Sequence, residues 1–186
     1  MTPYLIAAAI VVLVPLVYVI AAYNRLVNLR NLTLNSWRNV DTELKRRYDL
    51  IPNLVKTVQG YAQHEKAVLE KLMAARQGAV QSTGSPSSQA RDENELVRAL
   101  RQVFVLVESY PQLKASQNFQ SLQDELINTE NRIQAARRFY NGNVKDLNNA
   151  VQQFPSNLIA GAFHFQPAEF FEVERALERE PVAVRF

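Results

Sequence analysis

The sequence predicts an all-α protein: an N-terminal transmembrane helix, then an antiparallel up-and-down bundle of long helices, then an irregular aromatic C-terminal tail. Three observations carry this reading. The run from Leu5 to Ala22, 18 residues, contains no charge. Only 5 glycines occur among 186 residues, too few for many hairpin turns, and Leu, Ala, Gln, Glu and Arg are plentiful. Beyond the first run, apolar residues recur at three- and four-residue steps instead of alternating.

Residues 1–23 read as a single membrane span. At about 1.5 Å per residue the uncharged run reaches roughly 27 Å, close to the hydrocarbon thickness of a bilayer. Pro15 would break a helix in water, but a spanning helix tolerates it because no water competes for the freed backbone groups. Tyr4 and Tyr23, with Tyr18, supply aromatic rings for the membrane interface, and Arg25 and Arg30 supply cations for lipid headgroups. A cleaved signal peptide fits less well. "MTPY" lacks Lys and Arg, the apolar run is long, and "AAYNRLVNL" continues a helical pattern through the place where a cleavage loop would lie. With Arg25 and Arg30 after the span and no basic side chain before it, the positive-inside bias puts the N-terminus outside and the C-terminal part in the cytoplasm.

Residues 24–154 read as the bundle, with helices at about 24–47, 50–80, 91–109 and 117–153. The first carries Leu26, Leu29, Leu32, Trp37, Val40 and Leu44 and ends in Lys45-Arg46-Arg47, cations suited to the negative end of a helix dipole. Asp49 then suits an N-cap and Pro52 a first-turn position, so "LKRRYDLIPNLV" reads as a joint. One long helix kinked at Pro52 is the alternative, since no glycine eases a reversal there. The second helix shows a broad stripe from Leu54 through Met73 and Arg76 to about Val80. Gln81 to Ala90, rich in Ser, Gly and Pro, reads as a solvated connection. The third helix carries Leu96, Leu100, Val103 and Val107 and stops near Pro111. The fourth holds a heptad seam, Phe119, Leu122, Leu126, Thr129, Ile133, Ala136, Tyr140, Asn143, Leu147 and Ala150. Residues 155–186 form the tail, where Phe163, Phe165, Phe170 and Phe171 either cover a flank of the bundle, the preferred reading, or form a docking surface for a partner.

Reaction chemistry finds little support. Without cysteine, thiolate catalysis, disulfides and Cys-type zinc sites are excluded. His64-Glu65 begins like a zincin helix, but position 68 is Val and the other histidine is His164. No nucleophilic-serine motif occurs, and Asp41 with Glu43 or Asp124 with Glu125 point different ways on a helix and read as solvated faces. No catalytic, cofactor-binding or metal residue is therefore assigned. A net charge of +3, from 21 Lys+Arg against 18 Asp+Glu, is too small for nucleic acid to be an expected partner.

The stretch "YNRLVNLRNLTLNSWRNVDTELKRRYDLIPNLVKTVQGYAQHE" resembles the N-terminal signature of the LemA family. "ESYPQLKASQNFQSLQDELINTENRIQAARRFYNGNVKDLNNAVQQFPSN" and "FFEVE" resemble its later blocks, while "GAFHF" departs from the family's usual Gly-Phe before the closing motif. The resemblance implies a single span with a short outside end and an up-and-down helical bundle. It carries over no catalytic residue, and some relatives are linked to membrane remodelling or organelle biogenesis in bacteria.

The expectation is thus a non-enzymatic scaffold in a bacterial inner membrane, partnered by the lipid bilayer, by copies of itself, and by other membrane or cytoplasmic proteins. A membrane-anchored adaptor or sensor that binds a soluble partner through the bundle or tail is the alternative, and an unrecognised hydrolase is the third. The mass of the detergent-solubilised particle separates the first two.

Overall fold

The computed structural model describes residues 2–173, with side chains from Ile10 onward. All regular structure among the described residues is helical: α1 Thr2–Gln59, α2 Lys66–Gln81, α3 Pro86–Val107, α4 Pro111–Lys114, α5 Gln117–Gln152 and α6 Ser156–Ala162. Side chains before Ile10 and residues 174–186 lie outside the description, so Tyr4 and the end of the expected tail do too.

α1 corrects the expected joint. Its 58 residues run without interruption through Pro15, Lys45-Arg46-Arg47 and Pro52. A proline in mid-helix removes the donor for the carbonyl four residues earlier. For Pro52 that carbonyl belongs to Tyr48, and Arg76 Nε donates to it at 2.7 Å. With the orphaned acceptor satisfied, the helix has no need to end. Asp49 is consequently an exposed mid-helix residue, and Lys45 pairs with Asp41 one turn back at 2.7 Å. The break falls instead after Gln59, at Gly60, the residue with the lowest helix propensity short of proline. There Tyr61 and Ala62 both donate their N–H to the Val58 carbonyl, and the second helix shrinks from the expected 50–80 to Lys66–Gln81.

The expected connection of residues 81–90 is also shorter. Pro86 opens α3 at its first turn, where a fixed φ favours the helix and a missing N–H is no loss. α5 matches the expected fourth helix closely. Ser116 Oγ accepts the N–H of Phe119 at 3.2 Å, an N-cap contact. The tail is not wholly irregular, because α6 forms after the cis Phe154–Pro155 bond. It is closed by Phe165 N–H to the Ala160 carbonyl (2.9 Å) and His164 N–H to the Gly161 carbonyl (3.3 Å), with His164 at φ 57°. That is a Schellman ending with histidine where glycine is usual.

α1 is a candidate transmembrane helix, long and apolar enough to cross a bilayer. Its large apolar side chains from Ile10 to Ile20, except the half-buried Val19, are exposed. The described chain falls into two compact units, residues 2–37 with 139–168, and residues 38–138 with 169–173. In the first, Leu26, Ala150, Ala160 and Phe165 form the core, with Val27, Leu29, Val151 and Ile159 packed against it. Trp37 and Tyr140 meet with ring centroids 5.1 Å apart, and the Asn148 amide holds both the N–H and the carbonyl of Ala168, at 2.8 and 2.9 Å. In the second, Leu44, Ile51, Leu54 and Val58 of α1 are buried together with Leu72 of α2, Leu96, Leu100 and Val103 of α3, and Phe119 and Ile133 of α5. α2 packs against α3 across a four-residue turn, residues 82–85.

Candidate functional site

The most concentrated chemistry among the described residues is a buried polar network in the second unit. Arg47 of α1 lies on the apolar seam of its helix, between Leu44 and Ile51, and is only 1% exposed. Its guanidinium donates to Glu93 Oε2 of α3 and, at 3.1 Å, to Glu130 Oε2 of α5. Both carboxylates sit on seams of their own, Glu93 one turn before Leu96 and Val97, Glu130 between Leu126 and Ile133. Glu93 Oε1 accepts from the Tyr48 hydroxyl and from Gln89 Nε2 at 3.1 Å, while Glu130 Oε1 accepts from Gln134 Nε2 at 2.9 Å. All four carboxylate oxygens thus have a donor.

Burial pushes the Tyr48 hydroxyl above its ordinary value, and the Glu93 charge adds to the effect, so the phenol stays a donor at neutral pH. Gln89 also reaches the Ala79 carbonyl of α2 at 3.1 Å, and Arg76 ties α2 to the Tyr48 carbonyl. Four helices therefore share one set of hydrogen bonds. A site of this kind, with its carboxylate oxygens occupied and its charges shut from solvent, holds elements in place; Arg47 Nε and Gln134 Oε1 are its buried atoms without a partner. The sequence reading takes Lys45-Arg46-Arg47 as cations of a last helical turn, suited to the negative end of the dipole. The signal it missed is the spacing of Val40, Leu44, Arg47, Ile51, Leu54 and Val58, which puts Arg47 on the buried face.

The residues expected at the membrane interface separate. Tyr23 packs on Phe163 and Phe165, with ring centroids 4.8 and 5.9 Å apart, and the Arg30 guanidinium lies 5.2 Å from the Phe165 ring centre. Arg25 is exposed and lines a pocket of about 280 Å³ with Tyr18, Ala21, Gln153, Phe154 and Ser156. Of the four rings considered as a docking surface, Phe165 (7% exposed) and Phe171 (0%) are core residues and cannot serve as one; Phe163 and Phe170 keep exposed faces. Within the second unit the tail is held along α3 and α5: Glu169 accepts from the Ser87 hydroxyl and N–H, Asn94 donates to the Glu172 carbonyl at 3.4 Å, and Arg137 donates to the Val173 carbonyl.

His64 is exposed in the turn after α1, and His164 closes α6. Among the described residues no group of three or more His, Cys, Asp or Glu side chains is arranged to hold a metal ion.

The LemA family model matches residues 36–186, the region that holds the entire network. The chain is similar to MamQ 1 and MamQ 2 of Paramagnetospirillum magneticum strain AMB-1, each 24% identical over 179 residues that cover 83% of this chain and 66% of the relative. MamQ of Magnetospirillum gryphiswaldense is 22% identical over 163 residues, covering 74% of this chain and 60% of its own length. All three are described as magnetosome proteins, and this chain spans about two thirds of their length or less. With a family match that takes in most of the sequence, the chain belongs to the LemA family.

Proposed function

We propose that the protein is a non-enzymatic, membrane-anchored helical scaffold that assembles with copies of itself on the cytoplasmic face of a bacterial inner membrane. The observation that carries this reading is α1. One helix presents exposed aliphatic side chains from Ile10 to Ile20, then buries Leu26, Leu44, Ile51 and Leu54 in packed cores. At about 1.5 Å per residue its 58 residues reach roughly 87 Å, far more than a bilayer needs, so the helix that supplies the apolar stretch also supplies buried side chains to each packed unit. An antiparallel up-and-down bundle is supported by the pairing of Leu26 with Ala150 and Trp37 with Tyr140, and separately of Arg47 with Glu130. Arg25 and Arg30 after the apolar stretch favour a cytoplasmic domain and an outside N-terminus. Anchoring copies in parallel raises their effective concentration, which favours self-association. The relatives' description as magnetosome proteins supports a role in organising membranes.

Leu34, exposed on α1, gives the test. In native membranes a Leu34→Cys variant, with its one thiol per chain, should crosslink into a covalent dimer, and a reporter fused after Phe186 should be active inside the cell. Monomer alone, with the thiol shown to be reactive, removes self-assembly; a reporter active outside reverses the orientation.

A further inference from the structure

We propose that the corner between α5 and α6, Gln153 to Phe163, is a second membrane contact, seated in the headgroup layer of the bilayer that α1 crosses. The inference rests on the anchoring of α1 and goes beyond it, since nothing in a single-span anchor requires another part of the chain to touch lipid.

The level of the corner along α1 is the first argument. The pocket it makes with α1 is lined by Tyr18, Ala21, Ala22, Arg25 and Leu26 on one side and Gln153 to Ser156 on the other. If the hydrocarbon ends near Ala22, the last residue before Tyr23 and Asn24, a headgroup layer of about 5–8 Å carries the interface to roughly Leu26. The corner therefore sits against the boundary between oil and headgroups.

The second argument is what the corner exposes. Phe154 is 78% exposed and Leu158 61%, one turn apart in sequence, and Phe163 follows at 52%. Ala160 of the same segment and Phe165 just beyond it enter the core, so the chain had a buried face available and left three large apolar side chains off it. One such side chain is ordinary on a soluble surface; three on a segment that adjoins an exposed apolar helix extend an apolar surface already present.

Charge makes the third. No Asp, Glu, Lys or Arg occurs from Leu147 to Ala168, and none occurs in α1 before Arg25. Two uncharged segments meet, and the first cations beside them are Arg25, at the pocket, and Arg30, over the Phe165 ring. The pocket itself, about 280 Å³, sets Arg25, Gln153 and Ser156 beside Tyr18 and Phe154, the mixture of cation, polar group and aromatic ring that suits a phospholipid headgroup.

The chain has no cysteine, so single nitroxide labels report position cleanly. The full protein is reconstituted in phosphatidylethanolamine–phosphatidylglycerol vesicles as Val14→Cys, Phe154→Cys, Leu158→Cys and Phe139→Cys variants, all at exposed positions, and label depth is read from accessibility to oxygen against a nickel chelate. The labels at 154 and 158 should lie about 5–10 Å below the phosphates, and the label at 139 should be open to nickel. A deep label at 14 with nickel-accessible labels at 154 and 158 overturns the second contact while leaving the anchor standing. A nickel-accessible label at 14 overturns both. Labels at 154 and 158 shielded from both reagents and broadened by a neighbouring label would mean a second copy covers the corner, which also overturns the proposal.

Discussion

Arg76 donates its Nε–H to the main-chain carbonyl of Tyr48 at 2.7 Å, and this is the carbonyl that Pro52 leaves without its helical donor. A side chain from α2 thereby completes the hydrogen bonding of α1. The pairing makes a double-mutant cycle informative. Arg76→Ala should cost about 1–3 kcal/mol in urea unfolding, because a part-buried acceptor loses its donor. Pro52→Ala restores a backbone N–H to the same carbonyl, so Arg76→Ala should cost distinctly less in that background. Equal costs in both backgrounds would mean that Arg76 acts through packing alone.

Arg47 faces two carboxylates in a space closed to water. Arg47→Met should cost about 3–5 kcal/mol, the penalty for leaving buried charges without a partner. Adding Glu93→Gln and Glu130→Gln to it should recover most of that loss, because the amides keep the shape and still accept from Tyr48 and Gln134. The midpoint of chemical denaturation decides the matter: a triple variant no more stable than Arg47→Met would refute charge burial as the cause.

His164 occupies the left-handed position that ends α6. His164→Gly should be neutral or stabilise by up to about 1 kcal/mol, while a β-branched residue in that conformation should cost about 1–2 kcal/mol. Thermal melts of His164→Gly and His164→Val should therefore move in opposite directions from the parent, or at least differ by several degrees.

Glu169 ties the tail to the start of α3. The Ser87 hydroxyl holds its carboxyl below the ordinary 4.5, helped by Ser85 and by the Ser87 N–H. A depressed folded value means that the tether is complete above 4.5 and is lost as pH falls through the lower folded value. An NMR titration should find Glu169 ionising below 4.5, and Ser87→Ala should raise it towards that figure; no change on substitution would remove Ser87 as the cause.

The helical class, the apolar N-terminal run and the span of α5 could all be read from composition and periodicity, because both report burial directly. Phe119, Leu126, Ile133, Tyr140 and Leu147, spaced by sevens, are all buried. The joint at Pro52 was misread because local signals there, Asp49, Pro52 and a run of cations, are those of a helix boundary, and the group that overrides them, Arg76, lies 28 positions from Tyr48. The network was missed for a related reason. A charged residue counts against burial until its partners are known, and the partners of Arg47 lie 46 and 83 positions away. Seam spacing was the available clue. The two buried tail rings follow the same pattern, since periodicity is silent on chain that packs without being helical.

Rows of aliphatic side chains that repeat every seven residues have many near-equivalent settings. Sliding one helix by about 10 Å along its neighbour exchanges Leu for Ile, or Val for Leu, at small loss. On α1 the row Val40, Leu44, Ile51, Leu54 and Val58 would allow such a slip, were it not for Arg47 in its midst. Guanidinium and carboxylates meet at one setting only; at the next, a cation faces hydrocarbon and two anions are stranded. A single off-pattern residue on each of three helices thus acts as the tooth of a ratchet, selecting one alignment from a ladder of near misses.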